Sequence, residues 1–346
     1  MLDVEHLPTR LEAFLKRRLP QSKSVVVTEC TAMTGGYSCL MTRVVAVIDG
    51  ERKVLVARSD VPSGQGVLET DRMQEWKVLS ALTAQNTVPM PRALFADEDG
   101  SELGAKTIIL EFAEGGSFLN RLRADEQDRK TQAEALCDLA VAIHGADVDA
   151  LREVLDHPGE WNAYLDRLIA SWRAMEAELS DSVPMLRYMA AWLDANRPPP
   201  TALTLVHGEF QPSNQVLDAD GRLLAVDFEF VHIGDPREDI GWCKWVESVQ
   251  PPALIGVDEQ AFCQRYCARS GLGPDVINPL SVAYFSILPS MKVFSGVLRS
   301  QQAFAQGSNT SMRVGYLLGA TITAYEGWFN ATRQIEAASR ATQGVC

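Results

Sequence analysis

The order in which strand and helix patterns follow one another is the feature of this chain that most limits its fold. Three runs rich in β-branched residues near the start are typical of strands: Val25–Val27, Leu40–Ile48 and Lys53–Ala57. Asp49-Gly50 predicts a tight turn between the last two. After Gly115-Gly116, apolar residues recur at a helical period. Strands first and helices afterwards predict an α+β protein, with an antiparallel sheet followed by a mainly helical part.

Further segments complete the two parts. We predict these elements: a helix near residues 70–82, a strand at Thr107–Phe112, a helix from Trp161 to Trp172, a strand at Leu203–Val206, and a hairpin of Gln215–Leu217 with Leu223–Val226. The change of pattern places a lobe boundary near residue 113. We therefore predict an N-terminal lobe of residues 1–113 and a C-terminal lobe of residues 114–346.

Composition argues against several classes of protein. The chain has 346 residues, 46% of them hydrophobic, which is enough for a sizeable core. Acidic residues outnumber basic ones by 45 to 32, and the net charge of −13 disfavours nucleic-acid or anionic membrane partners. The seven cysteines include no CxxC pair, so we expect neither a thiolate zinc site nor a disulfide framework. Because no basic start precedes an apolar run, and no apolar stretch reaches about eighteen residues, we expect a cytoplasmic protein.

The segment that begins at His207 carries the strongest sign of chemistry. It reads His-Gly-Glu-Phe-Gln-Pro-Ser-Asn over residues 207–214, and Asp227-Phe228-Glu229 follows the predicted hairpin. Phosphoryl transfer needs a carboxylate beside the attacking hydroxyl and oxygen ligands for the metal that bridges the phosphates. Because paired strands lie about 5 Å apart, the hairpin would return Asp227 beside Asn214. The alternative is an ordinary polar turn between two strands.

Together these motifs resemble the catalytic loop and metal-binding motif of the aminoglycoside phosphotransferase and choline kinase-like family. The run Gly234-Asp235-Pro236-Arg237-Glu238-Asp239 is similar to the segment that follows in that family, and its two aspartates are expected to cap and brace the next helix. The resemblance extends over roughly residues 20–260. It implies a two-lobed, protein kinase-like fold, with nucleotide bound by the N-lobe and the acceptor by the helical C-lobe. It also implies ATP and Mg²⁺ as cofactors.

The resemblance assigns roles within the catalytic loop. Glu209 takes the position of the catalytic carboxylate, and His207 takes a structural role. Asn214 and Asp227 become magnesium ligands, with Glu229 as a further candidate. The family usually has Asp where this chain has Glu209, and in chemistry dominated by positioning one extra methylene matters. A nucleotide-binding pseudokinase or regulatory subunit is therefore the alternative to an active kinase.

The resemblance also implies nucleotide-binding residues in the N-lobe. Backbone N–H groups of four residues between two predicted strands would approach the phosphates: Gly35, Gly36, Tyr37 and Ser38. Paired glycines at such a place are also typical of an ordinary hairpin. The segment Glu111-Phe112-Ala113 resembles the inter-lobe hinge whose backbone groups would bind adenine.

Arg58 ends the third predicted strand, where the family places a Lys or Arg that contacts phosphate. A guanidinium can bind phosphate oxygens through two N–H groups at once. Glu75, on the following helix, would hold Arg58 by an ion pair. The alternatives are a solvated cation at a strand end and a surface glutamate.

The acceptor is expected to be a small molecule. Only a short segment separates Asp227 from Gly234, so the activation segment on which protein kinases bind peptides has no room. Residues 278–333 contain one acidic residue, Glu326, against four basic ones: Lys292, Arg299, Arg313 and Arg333. Polycationic aminoglycosides would need clustered carboxylates. We therefore predict that the acceptor is a neutral or anionic alcohol, and aromatic alcohols belong to this class. Candidate pocket residues that are also candidates for core packing are Phe285, Met291, Phe294, Tyr316 and Trp328.

Overall fold

The computed structural model describes residues 6–33, 39–61, 71–125, 127–179, 183–308 and 312–343. The segment Gly35–Ser38, predicted to approach the phosphates, lies outside these ranges. The chain divides into two compact units. The first consists of residues 1–116, 149–155 and 216–229, and the second of residues 117–148, 156–215 and 230–346.

An antiparallel five-stranded sheet forms the centre of the first unit, in the order β1-β2-β3-β5-β4. Its strands are β1 (Val25–Met33), β2 (Cys39–Ile48), β3 (Glu51–Asp60), β4 (Ala93–Asp97) and β5 (Thr107–Glu111). The predicted turn between β2 and β3 is present, and both Asp49 and Gly50 have positive φ, as a tight hairpin turn requires. Helix α1 (Leu7–Arg18) packs against this sheet, and its side chains Leu11, Phe14 and Leu15 are buried among the apolar residues of the strands.

The first unit also contains α2 (Arg72–Gln85), which the sequence predicts near residues 70–82. Asp71 caps this helix, because its side chain accepts hydrogen bonds from the Met73 and Gln74 N–H groups.

A second, three-stranded sheet has the order β6-β8-β9, with β6 at Gly116–Ser117, β8 at Gln215–Leu217 and β9 at Leu223–Ala225. Strands β8 and β9 form the predicted hairpin, which positions Asp227 two residues after β9.

Helices make up most of the second unit. They are α3 (Phe118–Ala124), α4 (Arg129–His144), α5 (Trp161–Leu179), α6 (Met185–Ala195), α7 (Arg237–Val249), α8 (Glu259–Ser270), α9 (Pro279–Ile287), α10 (Met291–Ala305) and α11 (Met312–Gln343). Two short strands, β7 (Thr204–Val206) and β10 (His232–Gly234), pair antiparallel among them. The α+β class predicted from the sequence is confirmed, whereas α1, β4 and β10 were not predicted.

Aromatic side chains fill the core of the second unit. Trp172 of α5 and Trp328 of α11 are fully buried, with ring centroids 4.9 Å apart in an edge-to-face arrangement. Phe294 of α10 adds a ring 5.2 Å from Trp328. Helices α7 and α9 cross closely at Gly241, where a Cβ atom would lie 2.3 Å from the Phe285 backbone. The apolar stripe of α5 is therefore core, as its period predicts.

One bent helix pair, Pro279–Ser290 with Phe294–Ala305 at 47°, has the combined length and apolar composition of a membrane span. No single helix in the described ranges reaches that length and composition.

Candidate active site

The loop predicted to be catalytic begins where β7 ends at Val206, and it is called the catalytic loop below. The His207 and Gly208 N–H groups both donate to the Asp239 carboxylate, at 2.8 and 2.9 Å. Nε2 of His144 lies 3.0 Å from the same carboxylate. Burial by itself raises the pKa of Asp239, but the contacts with His144 and His207 bring it below its ordinary value. Asp239 therefore braces the catalytic loop as an ionised, fully buried carboxylate.

Gly208 gives this loop a conformation that other residues disfavour. Its φ is +86°, and a Cβ atom on it would lie 2.4 Å from the Phe230 carbonyl oxygen. His207 is fully buried, with its ring edge-on to Phe210, which supports the structural role implied by the resemblance. Glu209, the next residue, is only half-buried. The loop thus has a rigid base and a carboxylate that can reach solvent.

Asn214 lies in the same loop, at the end of a short 3₁₀ turn, Pro212–Asn214. Its Nδ2 group donates to the Glu209 carbonyl oxygen at 3.1 Å, and its backbone N–H donates to the Gln211 carbonyl oxygen at 2.8 Å. The amide nitrogen is therefore committed inside the loop, which leaves Oδ1 as the atom suited to a metal. His207, Glu209 and Asn214 lie in one loop, where the side chains of His207 and Asn214 contact the Glu209 backbone.

Of the two aspartates expected to cap and brace the next helix, Asp235 has this role, and Asp239 has another one. Asp235 accepts hydrogen bonds from the Arg237 N–H at 2.9 Å, from Arg237 Nε at 2.8 Å and from Trp161 Nε1 at 2.6 Å. It does brace the first turn of α7. Asp239, by contrast, points to the backbone of the catalytic loop, so its main contacts are with the loop and not with its own helix.

In the first unit, the predicted residues Arg58, Glu75, Asp227 and Glu229 form one charged cluster. Nη2 of Arg58 lies 2.7 Å from Asp227 Oδ1 and 2.9 Å from Glu229 Oε1, and Nη1 lies 3.3 Å from Glu75 Oε1. The ion pair with Glu75 that the sequence suggests is present. Burial alone lowers the pKa of Arg58, but the neighbouring Glu75 and Asp227 carboxylates raise it well above its ordinary value.

Arg72 is a member of this cluster that the sequence analysis missed. Its side chain is fully buried and contacts Asp60 at 3.3 Å, Glu229 at 3.4 Å and, more closely, Glu75. A signal was present in the sequence: Arg72 and Glu75 are three residues apart on the helix face that carries Leu79. Two charges on a buried face indicate an internal ion pair.

Asp227 has two features of a functional residue. Its φ is +70°, a left-handed conformation that few residues other than glycine adopt. About a third of its side chain is exposed, whereas the side chains of Arg58 and Glu229 are 5% exposed. One carboxylate of the cluster is thus open to a ligand, and a guanidinium fixes its position.

The residues predicted to bind magnesium carry oxygen donors. Carboxylate and amide oxygens, as on Asp227 and Asn214, are the donors that Mg²⁺ takes in proteins. Within the described ranges, no group of three or more His, Cys, Asp or Glu side chains is placed to hold a metal on its own. Glu229 lies against Arg58 and Arg72, and its role as a ligand stays a prediction.

The predicted adenine hinge follows β5. Glu111 is exposed, and the Phe112 N–H donates to the Val54 carbonyl oxygen at 3.2 Å. The Arg43 guanidinium lies over the Phe112 ring, 5.4 Å from its centroid. Contact of Glu111, Phe112 and Ala113 with adenine stays a prediction.

A cavity of about 630 Å³ lies in the second unit. Among the residues predicted to surround an acceptor, Met291, Lys292 and Arg299 line it. Three others, Phe285, Phe294 and Trp328, pack in the aromatic core. The side chains of Arg313 and Tyr316 lie outside the described part of the chain.

The sheet-containing first unit, the helical second unit and the braced loop are those of a kinase-like phosphotransferase. Residues 38–273 match the family described as the phosphotransferase enzyme family, and the chain belongs to that family. The resemblance inferred from the motifs is confirmed.

Solved structures agree on the fold. A protein of Ralstonia eutropha classed with the aminoglycoside phosphotransferases superposes with a TM-score of 0.67 at 20% identity, covering 94% of this chain and 98% of that one. An aminoglycoside phosphotransferase in a ternary complex with ADP and hygromycin B gives 0.57 at 16% identity, covering 95% and 98%. The GDP complex of an aminoglycoside 2′-phosphotransferase gives 0.58 at 13% identity, covering 93% and 99%. The two-lobed, protein kinase-like fold is confirmed.

Two curated proteins are similar in sequence. Acyl-CoA dehydrogenase family member 10 of Mus musculus is 25% identical over 262 residues, and the probable acyl-CoA dehydrogenase IBR3 of Arabidopsis thaliana is 24% identical over 284 residues. The matches cover 70% and 72% of this chain. They span 24% and 34% of those longer proteins.

Proposed function

We propose that this chain transfers the γ-phosphate of ATP to a hydroxyl group of a small molecule. The observation that carries the proposal is the construction of the catalytic loop. Asp239 fixes its start, and the Asn214 amide bonds to the Glu209 carbonyl oxygen, so the candidate base and the candidate metal ligand share one rigid segment. Phosphoryl transfer depends on positioning above all, and such a segment provides it.

Each residue then has a definite role. Glu209 orients the acceptor hydroxyl and accepts its proton as the new O–P bond forms and the bond to the departing ADP oxygen breaks. Mg²⁺, when bound, neutralises charge on the phosphates. Asn214 and Asp227 would hold it, with Glu229 as a further candidate. Arg58 fixes the carboxylates of Asp227 and Glu229 and can also contact phosphate.

ATP is proposed as the donor because the motifs resemble those of ATP-dependent kinases. Among the solved relatives, one is a complex that contains ADP and another is a complex with GDP. Turnover measured with ATP and GTP at equal concentrations tests this choice directly. A higher kcat/KM with GTP would overturn the choice of ATP without affecting the proposed reaction.

The acceptor is proposed to be a neutral or anionic alcohol. The region 278–333 has an excess of basic residues, which disfavours polycations. Hydroxylated acyl compounds belong in an acceptor screen, because the curated relatives are named as acyl-CoA dehydrogenases. The three residues of β10 follow soon after Asp227, which leaves no peptide-binding activation segment between them.

An untargeted acceptor screen with purified protein, ATP and Mg²⁺ tests the proposal. We expect one class of alcohol to give a phosphorylated product, and Asp227→Ala to abolish that product. Full turnover by the variant would contradict the assignment of Asp227. Binding of ATP with no product from any alcohol would instead favour a regulatory nucleotide-binding protein, the alternative that Glu209 raises.

A further inference from the structure

The cavity in the second unit combines an apolar body with a polar corner. Its walls come from α5, α10 and the 3₁₀ turn between α9 and α10, and its apolar residues include Leu168, Met175, Leu288, Pro289 and Met291. Its volume, about 630 Å³, is in the range of sites for small organic molecules. An apolar portion of a ligand would displace water from these walls.

The polar corner is already occupied by internal hydrogen bonds. The Tyr164 hydroxyl donates to Glu238 Oε1, and the same oxygen accepts the Asp235 N–H at 3.0 Å. Nε2 of His232 lies 3.2 Å from the Tyr164 hydroxyl, and Nδ1 lies 2.8 Å from the Phe230 carbonyl oxygen. These groups partner one another and need no ligand.

Lys292 is different. Its Nζ lies 4.2 Å from the centroid of the Phe230 ring and 3.4 Å from the Phe230 carbonyl oxygen. Two basic residues, Lys292 and Arg299, are among the described residues that line the cavity. The Lys292 amino group has no carboxylate oxygen within 4.0 Å among the described residues. Arg299, at another part of the wall, is bound by Glu178 through two N–H groups. A cation without an anionic partner on an apolar cavity can bind an anionic group of a ligand.

The cavity also lies beside the catalytic loop. Phe230 forms part of the cavity wall and packs directly against Gly208 of the catalytic loop. A Cβ atom added to Gly208 would lie only 2.4 Å from the Phe230 carbonyl oxygen. Three carboxylates act electrostatically on Lys292, in order of strength those of Glu238, Glu209 and Asp239. Surrounding protein nevertheless lowers the pKa of Lys292 to about 8, and the amino group is still mainly protonated at pH 7.

We propose that this cavity binds the acceptor, and that the acceptor is an amphipathic hydroxy acid whose anionic group is held by Lys292 and whose apolar part fills the cavity. The inference rests on the proposed phosphotransferase function. It narrows the neutral or anionic alcohols to those that carry a carboxylate or a similar anionic group. It also gives a reason for excluding cationic antibiotics, which Lys292 would repel.

The probe pair is 3-hydroxydecanoate and its methyl ester, which differ in the negative charge. Binding is measured by calorimetry without nucleotide, and phosphorylation is measured separately with ATP and Mg²⁺. We expect the acid to bind at least about tenfold more tightly than the ester, as for a charge-assisted hydrogen bond. Lys292→Met should remove this preference, and Lys292→Arg should restore most of it.

A matched pair of tryptophan substitutions tests the location. Ala174 lines the cavity on α5 and is exposed, so Ala174→Trp should block binding without disturbing the core. Ala177 is exposed one turn further along α5 and is not among the residues that line the cavity. Ala177→Trp should therefore bind 3-hydroxydecanoate as tightly as the parent protein does. A far-ultraviolet circular dichroism spectrum and Tm like those of the parent protein show that each variant folds.

The outcomes separate this inference from the proposed function. Binding that depends on Lys292 and Ala174, without phosphorylated product, supports the cavity assignment and counts against the kinase function. Phosphorylation of another alcohol, unchanged in Ala174→Trp, overturns the cavity assignment and leaves the function standing. Equal binding of acid and ester, or no saturable binding of either, also overturns it.

Discussion

At the scale of single residues, the charged cluster of the first unit is the most unusual feature. Two arginines, Arg58 and Arg72, lie buried among carboxylates, and removing either one would leave anions in a poorly solvated place. The cluster therefore contributes to folding as well as to the position of Asp227. A substitution there has to be evaluated for stability before activity.

Arg72→Met is expected to lower the free energy of unfolding by about 3–5 kcal/mol, because Glu75 loses a buried partner. The double variant Arg72→Met/Glu75→Gln should cost less than the sum of the two single changes, since the unpaired charge is gone. Denaturant unfolding measures both. Arg123→Met, at an exposed arginine, is the control and should change little. Strict additivity would mean that the two side chains do not act as a pair.

Glu209 allows a direct test of the catalytic role. Glu209→Gln keeps the size and removes the base, so kcat should fall about 10²- to 10⁴-fold while KM for ATP changes little. Steady-state kinetics with the identified acceptor give both values. Glu160→Gln, at an exposed glutamate, should have parental kinetics.

Glu209→Asp shows whether the loop is built for the longer side chain. We expect a lower kcat, because the carboxylate would be withdrawn from the hydroxyl by one methylene. A kcat above that of the parent protein would show that Glu209 is a compromise and that the family residue performs better here.

At the scale of elements, helix α7 connects the core to the catalytic loop. Its residue Asp239 holds the loop, and its residue Gly241 allows α9 to approach closely. A shift of α7 would therefore move the base of the loop. This makes the crossing of α7 and α9 a place where packing controls the site.

Two glycines in helices of the second unit form a matched pair for testing this. Gly241→Ala should destabilise the protein by about 1–3 kcal/mol, because the new methyl group meets the Phe285 backbone at 2.3 Å. Gly296→Ala, in α10, meets nothing within 4 Å and should stabilise it by about 0.5–1 kcal/mol. Thermal unfolding compares them. Equal effects would indicate that the close crossing has no energetic role.

Most elements were predictable because their patterns are local. The turn at Asp49-Gly50, the stripe of α5 and the β8–β9 hairpin all follow from residues adjacent in sequence. Strand β10 has three residues and exists because it pairs with β7, a partner that local patterns do not reveal. Helix α1 has Leu7, Leu11 and Phe14 on one buried face, a spacing typical of an amphipathic helix.

At the scale of the whole molecule, a nucleotide that binds the folded chain should stabilise it. Mg²⁺-ATP at about 100 times its Kd should add about 2.7 kcal/mol to the free energy of unfolding, seen as a higher Tm. Asp227→Asn should reduce this gain, because one oxygen ligand loses its charge. Asp220→Asn, in the exposed turn of the same hairpin, should retain it. An equal gain in both variants would argue against Asp227 as a metal ligand.

The sequence by itself determined the α+β class and the family, because those depend on local periods and on motifs of adjacent residues. Tertiary structure alone decided that Arg72 joins the cluster of Arg58, that Asp239 holds the loop backbone, and that Lys292 lies at an apolar cavity. Each of these arrangements brings together residues from separate elements. For Arg58, Arg72 and Asp239, burial sets the energy, since a charge removed from water needs a partner that is close in space, whether or not it is close along the chain.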